Sequence, residues 1–235
     1  VTVGDIDVSG LTRDETEAKL VAQGWQKRAE TPLVVTTLRG ESFSVDPVRS
    51  GVVTPIDTVV DSAYAVGHDR NMISNLITAV QVFLEPVDVG RTERVIDTAY
   101  IDSLIDDCVD RVLADLGEEE YTVDAHAGEM TLVKGWNQLS FDKADFRNAV
   151  IAALEEGKTE LSYTKLASEP KAPDFEAIHT ELWKEPSDAY YTDDGTFTVI
   201  DEVVGCKFDV QEAKALWDAA APGELVTIPL DIVWP

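Results

Sequence analysis

A pattern of turn and capping residues in the last 48 residues constrains the fold most, because it describes one complete small unit. Asp193-Asp194-Gly195 separates two runs of strand-forming residues, 189–192 and 196–200, and this arrangement predicts a hairpin. Asp209 then follows a short strand and can cap a helix that reaches about residue 221. After Pro222-Gly223, the β-branched stretch 225–233 supplies a last strand. The unit is therefore predicted to be β-β-α-β.

The same order of turn, capping and helix-ending residues occurs earlier in the chain, starting near Tyr121. Its turn glycine is Gly128, its capping residue is Asp142, its helix stops at Gly157 and its last strand is Leu161 to Leu166. The capping aspartate lies 14 positions after the turn glycine in both copies. Each copy also follows a helical segment, 101–116 before the first and 175–183 before the second. The sequence thus predicts a tandem α-β-β-α-β repeat.

The amino-terminal third has a related order of elements. Residues 1–8 alternate like a strand, Thr12 and Glu15 form a capping box for a helix to Gly24, and 33–38 with 41–45 form a hairpin candidate. Further segments are a helix after Thr54-Pro55, an apolar helical stripe and a broken strand. The stripe comprises Met72, Ile73, Leu76, Ile77, Val80 and Phe83, and the broken strand is 86–95. This third is a candidate diverged copy of the repeat.

These patterns predict three segments. Residues 1–95 form an amino-terminal α/β lobe, 96–170 the first clear repeat and 171–235 the second, with the proline-containing stretch 168–174 as the boundary between the clear copies. The predicted fold class is α+β, with small antiparallel or mixed sheets covered on one face by amphipathic helices.

Composition limits the classes of partner. With 44% apolar residues the chain of 235 residues can build real cores, and its net charge of −26 disfavours nucleic acid and anionic lipid. No apolar run approaches the ~20 residues that cross a bilayer, and no signal-peptide pattern begins at Val1. Because the chain starts without Met and within a strand, we expect a mature piece whose upstream export signal or anchor has been removed.

The residues that carry most enzyme chemistry are scattered. His68, His126 and His179 have no metal-ligand spacing, and no nucleophile elbow, phosphate-binding loop or dinucleotide fingerprint occurs. Cys108 lies on an apolar helix face and Cys206 aligns with Leu139, so both are predicted to be buried hydrophobes, with a disulfide between them left open. The aspartates on the outer face of helix 101–116 are expected to be solvated. The sequence predicts no catalytic residue, no metal and no cofactor.

Aromatic residues are the remaining route to a site. Trp136, Tyr190 and Tyr191 lie in or beside hairpins, where one sheet face can meet water and offer a platform for sugar rings. The alternative is that these rings close over a small core. The other tryptophans have apolar neighbours and are predicted to be packing residues: Trp25, Trp183, Trp217 and Trp234.

Four stretches resemble a known family: GDIDVSGLTRDETEAKL near the start, AYAVGHDRN at 63–71, EPSDAYYTDDGTFTVIDEVVGCKFD at 185–209, and the closing VTIPLDIVWP. They are similar to peptidoglycan-binding domains of Gram-positive bacteria, and the resemblance covers nearly the whole chain. The first copy departs from the pattern at Gln138, where the second has Gly205, so its strand-to-helix turn is expected to differ.

The resemblance implies tandem modules outside the membrane, after a single anchor helix and before a YkuD-type L,D-transpeptidase or VanW-like domain. The His-Gly-Cys motif of the transpeptidase is absent, and the family supplies no ligand residues. We therefore expect a non-catalytic, extracytoplasmic cell-wall module that binds peptidoglycan or positions a downstream domain, attached to the membrane only through a segment absent here.

Alternatives from other classes remain open. The chain can be a protein-interaction or spacer module of a cell-surface protein without glycan binding, with another envelope protein as partner. A hydrolase that uses Asp or Glu is a third hypothesis. Wall polymers are largely anionic, so peptidoglycan binding would need aromatic, hydrogen-bonding or cation-bridged contacts.

Overall fold

The fold was obtained as a computed structural model, which describes residues 1–66, 94–116, 120–192 and 198–235. It is an α+β fold with small antiparallel and mixed sheets, as predicted. Two compact units divide the chain: unit 1 comprises Val1–Val109 and Asp142–Thr164, and unit 2 comprises Asp110–Phe141 and Lys165–Pro235. None of the helices in the described ranges combines the length and apolar character needed to cross a bilayer.

Unit 1 begins with a short hairpin of β1 (Thr2–Val3) and β2 (Ile6–Asp7). The single strand predicted over residues 1–8 is therefore wrong, because Gly4 adopts a φ of 57° and reverses the chain. Helix α1 (Arg13–Ala22) has the predicted capping box at Thr12 and Glu15. A second helix, α2 (Trp25–Glu30), follows at once, and α3 spans Ile56–Ala65.

The amino-terminal helices of unit 1 close over an apolar cluster. Its central side chains are nearly inaccessible because each projects from the inner face of its element. Its buried members are Val3, Val8, Leu20, Trp25, Val53, Val59, Val60 and Ala63. The apolar spacing of Ile56, Val59, Val60, Ala63 and Tyr64 predicts that one face of α3 is buried. Val59, Val60 and Ala63 are buried as predicted, whereas the prediction is wrong for Tyr64, which is exposed.

The sheet of unit 1 has three strands in the order β4 (Ser42–Val45), β3 (Leu33–Thr36) and β7 (Glu160–Ser162). Strands β3 (Leu33–Thr36) and β4 (Ser42–Val45) form the predicted hairpin, whose turn uses Arg39 and Gly40 at φ values of 61° and 81°. Strand β7 (Glu160–Ser162) runs parallel to β3, with Val35 opposite Leu161. Helix α5 (Lys143–Glu155) precedes β7, is capped by Asp142 as predicted, and packs on β3 and β7.

Helix α4 spans Thr98–Ala114 and contains the boundary between the two unit ranges. Its predicted inner face is confirmed by the burial of Ile101, Ile105 and Cys108. The outer aspartates are not all simply solvated, because Asp102 accepts from Arg147 at 2.7 Å and Asp106 pairs with Lys143 at 2.6 Å. Helix α5 supplies both cations, so these ion pairs join two helices of unit 1.

The sheet of unit 2 has three strands in the order β11 (Leu225–Pro229), β6 (Glu129–Val133) and β5 (Tyr121–Asp124). Strands β5 (Tyr121–Asp124) and β6 (Glu129–Val133) form the predicted hairpin, with Gly128 at a φ of 69° in its turn. The predicted last strand, 225–233, is two strands, β11 (Leu225–Pro229) and β12 (Asp231–Val233). Strand β11 pairs with β6 and β12 pairs with β10 (Gly205–Lys207), so one stretch of chain serves two sheets.

The core of unit 2 is covered by two helices, α6 (Phe175–Leu182) and α7 (Val210–Ala219). Unit 2 also contains a two-stranded ribbon of β8 (Tyr190–Tyr191) and β9 (Val199–Ile200). Asp209 caps α7 as predicted, accepting from two backbone N–H groups at 2.7 and 3.1 Å. The buried core comprises Met130, Leu132, Phe175, Ile178, Cys206, Phe208, Ala213, Trp217, Val226, Ile228 and Leu230.

The compact units cross the segment boundaries predicted from the sequence, 1–95, 96–170 and 171–235. Helix α5 and strand β7 belong to the first clear repeat in sequence and to unit 1 in space. Conversely, β11 of the second repeat pairs with the hairpin of the first. The unpaired edge of a short strand can pair with a segment that is distant in sequence. For this reason the compact units do not coincide with the segments predicted from the sequence.

Some predicted features lie outside the described residues. They are the helical stripe from Met72 to Phe83, most of the broken strand 86–95, His68, and the Asp193-Asp194-Gly195 turn.

Candidate ligand-binding site

Among the described residues of unit 2, the ribbon of β8 and β9 carries the two most exposed aromatic side chains. Tyr190 and Tyr191 are 57% and 70% accessible, and Val199 and Ile200 opposite them are also exposed. Successive side chains of a strand point to opposite faces. Each face of the ribbon therefore carries one tyrosine beside one aliphatic residue, Tyr190 with Ile200 and Tyr191 with Val199.

Backbone bonds extend this ribbon beyond the two named strands. Ser187 and Val203 exchange hydrogen bonds of 3.1 and 2.9 Å, and the amide of Thr192 donates to the carbonyl of Thr198 at 2.9 Å. The tyrosines thus belong to hydrogen-bonded strands rather than to an irregular loop. That backbone fixes the direction in which each ring leaves the chain.

Trp136 lies elsewhere in unit 2, in a turn where Gly135 and Asn137 have φ values of 89° and 57°. The ring is half-buried and borders a recess of about 360 Å³ that is also lined by Leu113, Leu116 and Leu139. This environment is aliphatic on several sides. It fits the packing alternative for Trp136 better than an open sugar platform.

The turn at Trp136 is also the place where the local structures of the two predicted repeat copies differ. The Gln138 side chain accepts from the amide of Lys171 at 2.8 Å and donates to its carbonyl at 3.2 Å, which ties the turn to the stretch after the first copy. Gly205 instead lies in β10, where an added Cβ would come within 2.7 Å of the Trp183 ring. The predicted difference between the two strand-to-helix turns is confirmed.

The four tryptophans predicted to pack divide into two pairs. Trp25 and Trp217 are buried as predicted. The prediction is wrong for Trp183 and Trp234, which are 38% and 45% accessible. Both lie at the end of an element, where the apolar neighbours in sequence do not enclose the ring.

The two exposed tryptophans each have one cationic or aromatic neighbour. The Lys207 ammonium lies 3.9 Å from the centre of the Trp183 ring. Trp234 stacks on His126 with ring centres 5.5 Å apart. These contacts orient the two partly exposed rings.

The cysteines are buried and free, as predicted for hydrophobes. Cys108 Sγ lies 3.6 Å from Thr37 Oγ1 in unit 1, and Cys206 belongs to the core of unit 2. Within the described ranges, no group of three or more His, Cys, Asp or Glu side chains could hold a metal ion.

The clearest pKa shifts accompany structural contacts. Backbone and side-chain hydrogen bonds from Thr12 lower the pKa of Glu15 in the capping box. A hydrogen bond to Asp106 raises the pKa of Lys143 on α5. Burial, followed by the hydrogen bond to Asp145, raises the pKa of Tyr163 well above its usual range. Each shift belongs to a cap, an ion pair or a packed ring, and none points to acid–base chemistry.

One group of basic residues was not predicted from the sequence. Lys27, Arg28 and Lys158 line a common pocket of unit 1, although about 130 residues separate the first two from the third. The adjacent pair Lys27-Arg28 was the only local signal, and two neighbouring basic residues on a helix are too common to indicate a site.

Comparison of the chain with protein-family models, with curated proteins and with solved structures finds no match in any of the three.

Proposed function

We propose that this protein is a non-catalytic extracytoplasmic module that binds peptidoglycan and so positions a neighbouring cell-wall domain. The observation that carries the proposal is the exposure of Tyr190 and Tyr191 on a two-stranded ribbon. The resemblance to peptidoglycan-binding domains, which includes this stretch of sequence, supports the same function.

The charge of the protein favours contact through rings rather than through ions. A net charge of −26 opposes binding to an anionic wall polymer by bulk electrostatics. Tyrosine offers an apolar ring face together with a hydroxyl, and it orders at low cost because it has only two side-chain torsions. Glycan contact through the ribbon is therefore expected to be weak and nearly independent of salt.

Co-sedimentation with purified sacculi tests this proposal. Wild-type protein should be retained above an unrelated acidic control, and the double variant Tyr190→Ser/Tyr191→Ser should bind roughly 10- to 30-fold less, since each exposed ring contributes about 1 kcal/mol. Tyr64→Ser is the matched control, because it removes a tyrosine that is also exposed but lies in unit 1.

Three outcomes separate the versions of the proposal. Retention only with millimolar Mg²⁺ would mean that bridging cations, not the tyrosines, carry the contact. Equal retention of wild type and the double variant would move the binding surface away from the ribbon. No retention above the acidic control would exclude peptidoglycan binding and leave a spacer.

A protein-interaction module is the second candidate, and a specific observation favours it. Among the described strands, β8 pairs only with β9, so each presents a free outer edge. An extended segment can add to such an edge through main-chain hydrogen bonds. The flanking acidic residues Glu185, Asp188, Asp201 and Glu202 would favour a basic segment.

Binding of an extended basic peptide tests the interaction hypothesis. A basic peptide should protect ribbon amides from hydrogen exchange, and an acidic peptide of the same length should not. The same experiment with Tyr190→Ser/Tyr191→Ser separates the two functions, since main-chain pairing needs the edge more than the rings. Protection by neither peptide would remove this candidate.

A further inference from the structure

Unit 1 contains a pocket whose lining contrasts with the charge of the whole chain. It has a volume of about 230 Å³ and is lined by Gly24, Lys27, Arg28, Thr31, Pro47, Leu154, Gly157, Lys158 and Thr159. Three of these nine residues are basic and none is acidic. The whole sequence has 45 acidic and 19 basic residues, so this pocket has a basic lining in an acidic protein.

Arg28 is the most firmly held of the three cations. One Nη2–H donates to the carbonyl of Glu155 at 2.7 Å, and the guanidinium lies 5.5 Å from the centre of the Trp25 ring. The side chain also lies against Gly157, where an added Cβ would come within 3.0 Å of Nε. The guanidinium is thereby fixed in position before any ligand arrives.

The hydrogen-bonding capacity of Arg28 is mostly unused. Its Nε is buried and has no partner, and the described residues accept only one of its five N–H groups. A buried donor without an acceptor is unfavourable, more so when it is charged. Because Nε is inaccessible to water, a bound anion would meet the Nη groups, and its charge would compensate the partly buried guanidinium.

The two lysines extend the positive wall. Lys27 is exposed and has no ion-pair partner in the part of the chain that the structure describes. Lys158 pairs with Glu156 at 2.7 Å, but both side chains are more than half accessible. Such a surface pair is weak and opens readily. Both ammonium groups are therefore available to a ligand in the pocket.

A structural role for Arg28 alone does not account for this arrangement. Helix α5 ends at Glu155, and a cation beside the last carbonyls of a helix is favourable. That role uses one N–H of Arg28 and neither lysine. Thr31 and Thr159 line the same pocket, and a capping role for Arg28 does not involve their hydroxyls.

We propose that this pocket binds a small oxyanion, a phosphate or carboxylate group, between the guanidinium of Arg28 and the ammonium groups of Lys27 and Lys158. A water molecule occupies about 30 Å³ of liquid, so the pocket has room for one such group and several waters. The group belongs either to a free anion or to an anionic polymer. The proposal does not depend on peptidoglycan binding, because the tyrosine ribbon lies in unit 2.

Nuclear magnetic resonance with inorganic phosphate tests the site. Phosphate should shift the Arg28 Nε–H signal and the amides around Thr31 and Thr159, while chloride at the same ionic strength should not. Acetate in a second arm shows whether carboxylates are accepted, and dimethyl phosphate in a third shows whether a phosphodiester, the form that phosphate takes within a polymer, is accepted.

Charge removal at the exposed lysines provides the decisive comparison. Lys27→Gln/Lys158→Gln should weaken phosphate binding about tenfold, since it removes two of the three charges. Lys171→Gln/Lys214→Gln removes the same charge from unit 2 and should leave binding unchanged. Arg28 is kept in both, because it also supports the fold.

Thermal unfolding gives a second readout that does not rely on assignments. Phosphate should raise the Tm of the wild type and of the unit 2 control, and it should raise the Tm of Lys27→Gln/Lys158→Gln much less. The proposal is overturned if phosphate causes no localised shifts, or if its affinity is the same in both double variants.

Discussion

Lys134 is expected to stabilise unit 2 through the end of helix α7. Its ammonium donates to the carbonyls of Trp217 and Ala220 at 2.9 Å each, and reaches that of Asp218 at 3.5 Å. The backbone amide of Lys134 donates to the carbonyl of Glu224 at 2.9 Å, and the carbonyl of Lys134 accepts from the amide of Gly223 at 2.8 Å. One residue of the first repeat therefore bonds carbonyl groups at the end of α7 that have no helical partners.

The substitution Lys134→Met isolates the ammonium, because methionine keeps most of the apolar stem. Hydrogen bonds from charged donors contribute about 1.5–3 kcal/mol, and a cation at a helix end about 0.3–1 kcal/mol. Water can replace part of this at a half-buried site. We expect the free energy of unfolding of unit 2 to fall by about 2 kcal/mol.

Urea unfolding followed by tryptophan fluorescence measures this loss, and hydrogen exchange of the last-turn amides of α7 locates it. Lys214→Met is the matched control on the same helix, since Lys214 makes only a 3.5 Å surface pair with Glu176. That control should cost less than about 0.5 kcal/mol. A Lys134→Met variant as stable as Lys214→Met would refute the capping argument.

Three further variants test the packing and capping inferred above. Phe146→Ala should destabilise unit 1 by about 4 kcal/mol in urea unfolding, because the ring is fully buried and stacks on Tyr163 at 4.0 Å; a loss near 1 kcal/mol would contradict this packing. Tyr163 has a raised pKa, so its contribution is present below pH 10 and should fall as the pH rises further; Tyr163→Phe should lack this decline, and parallel pH profiles would disprove it. Asp209→Ala should cost about 1 kcal/mol and reduce helical circular dichroism, whereas Asp209→Asn keeps an acceptor oxygen and should be nearly neutral; an Asp209→Ala variant as stable as the wild type would refute the capping role.

The elements that the sequence predicted well are those whose cause lies within a few residues. Thr12, Asp142 and Asp209 each accept a backbone N–H of the first helical turn that follows them. Gly128 and Gly157 each reverse the chain at a positive φ. Capping and tight turns are local events, so a short window of sequence contains all the groups involved.

The candidate site was predicted in part for the same reason. Tyr190 and Tyr191 were placed on a hairpin from strand propensity and a turn signal, and the structure gives that ribbon with both rings exposed. Trp136 satisfies the same rule of position, yet its ring is half-buried and shares a recess with Leu113, Leu116 and Leu139. Exposure depends on neighbours that are distant in sequence, and periodicity does not identify them.

The sequence by itself determined where most of the helices and turns of this protein begin and end, which side of α4 is buried, and the α+β class. Only the tertiary structure decided that β7 joins β3, that β11 and β12 serve different sheets, and that Lys27, Arg28 and Lys158 meet. Strand edges of similar composition can accept several partners, and the choice among them rests on burial and loop closure over tens of residues. That choice is a property of the whole packed unit rather than of any one segment.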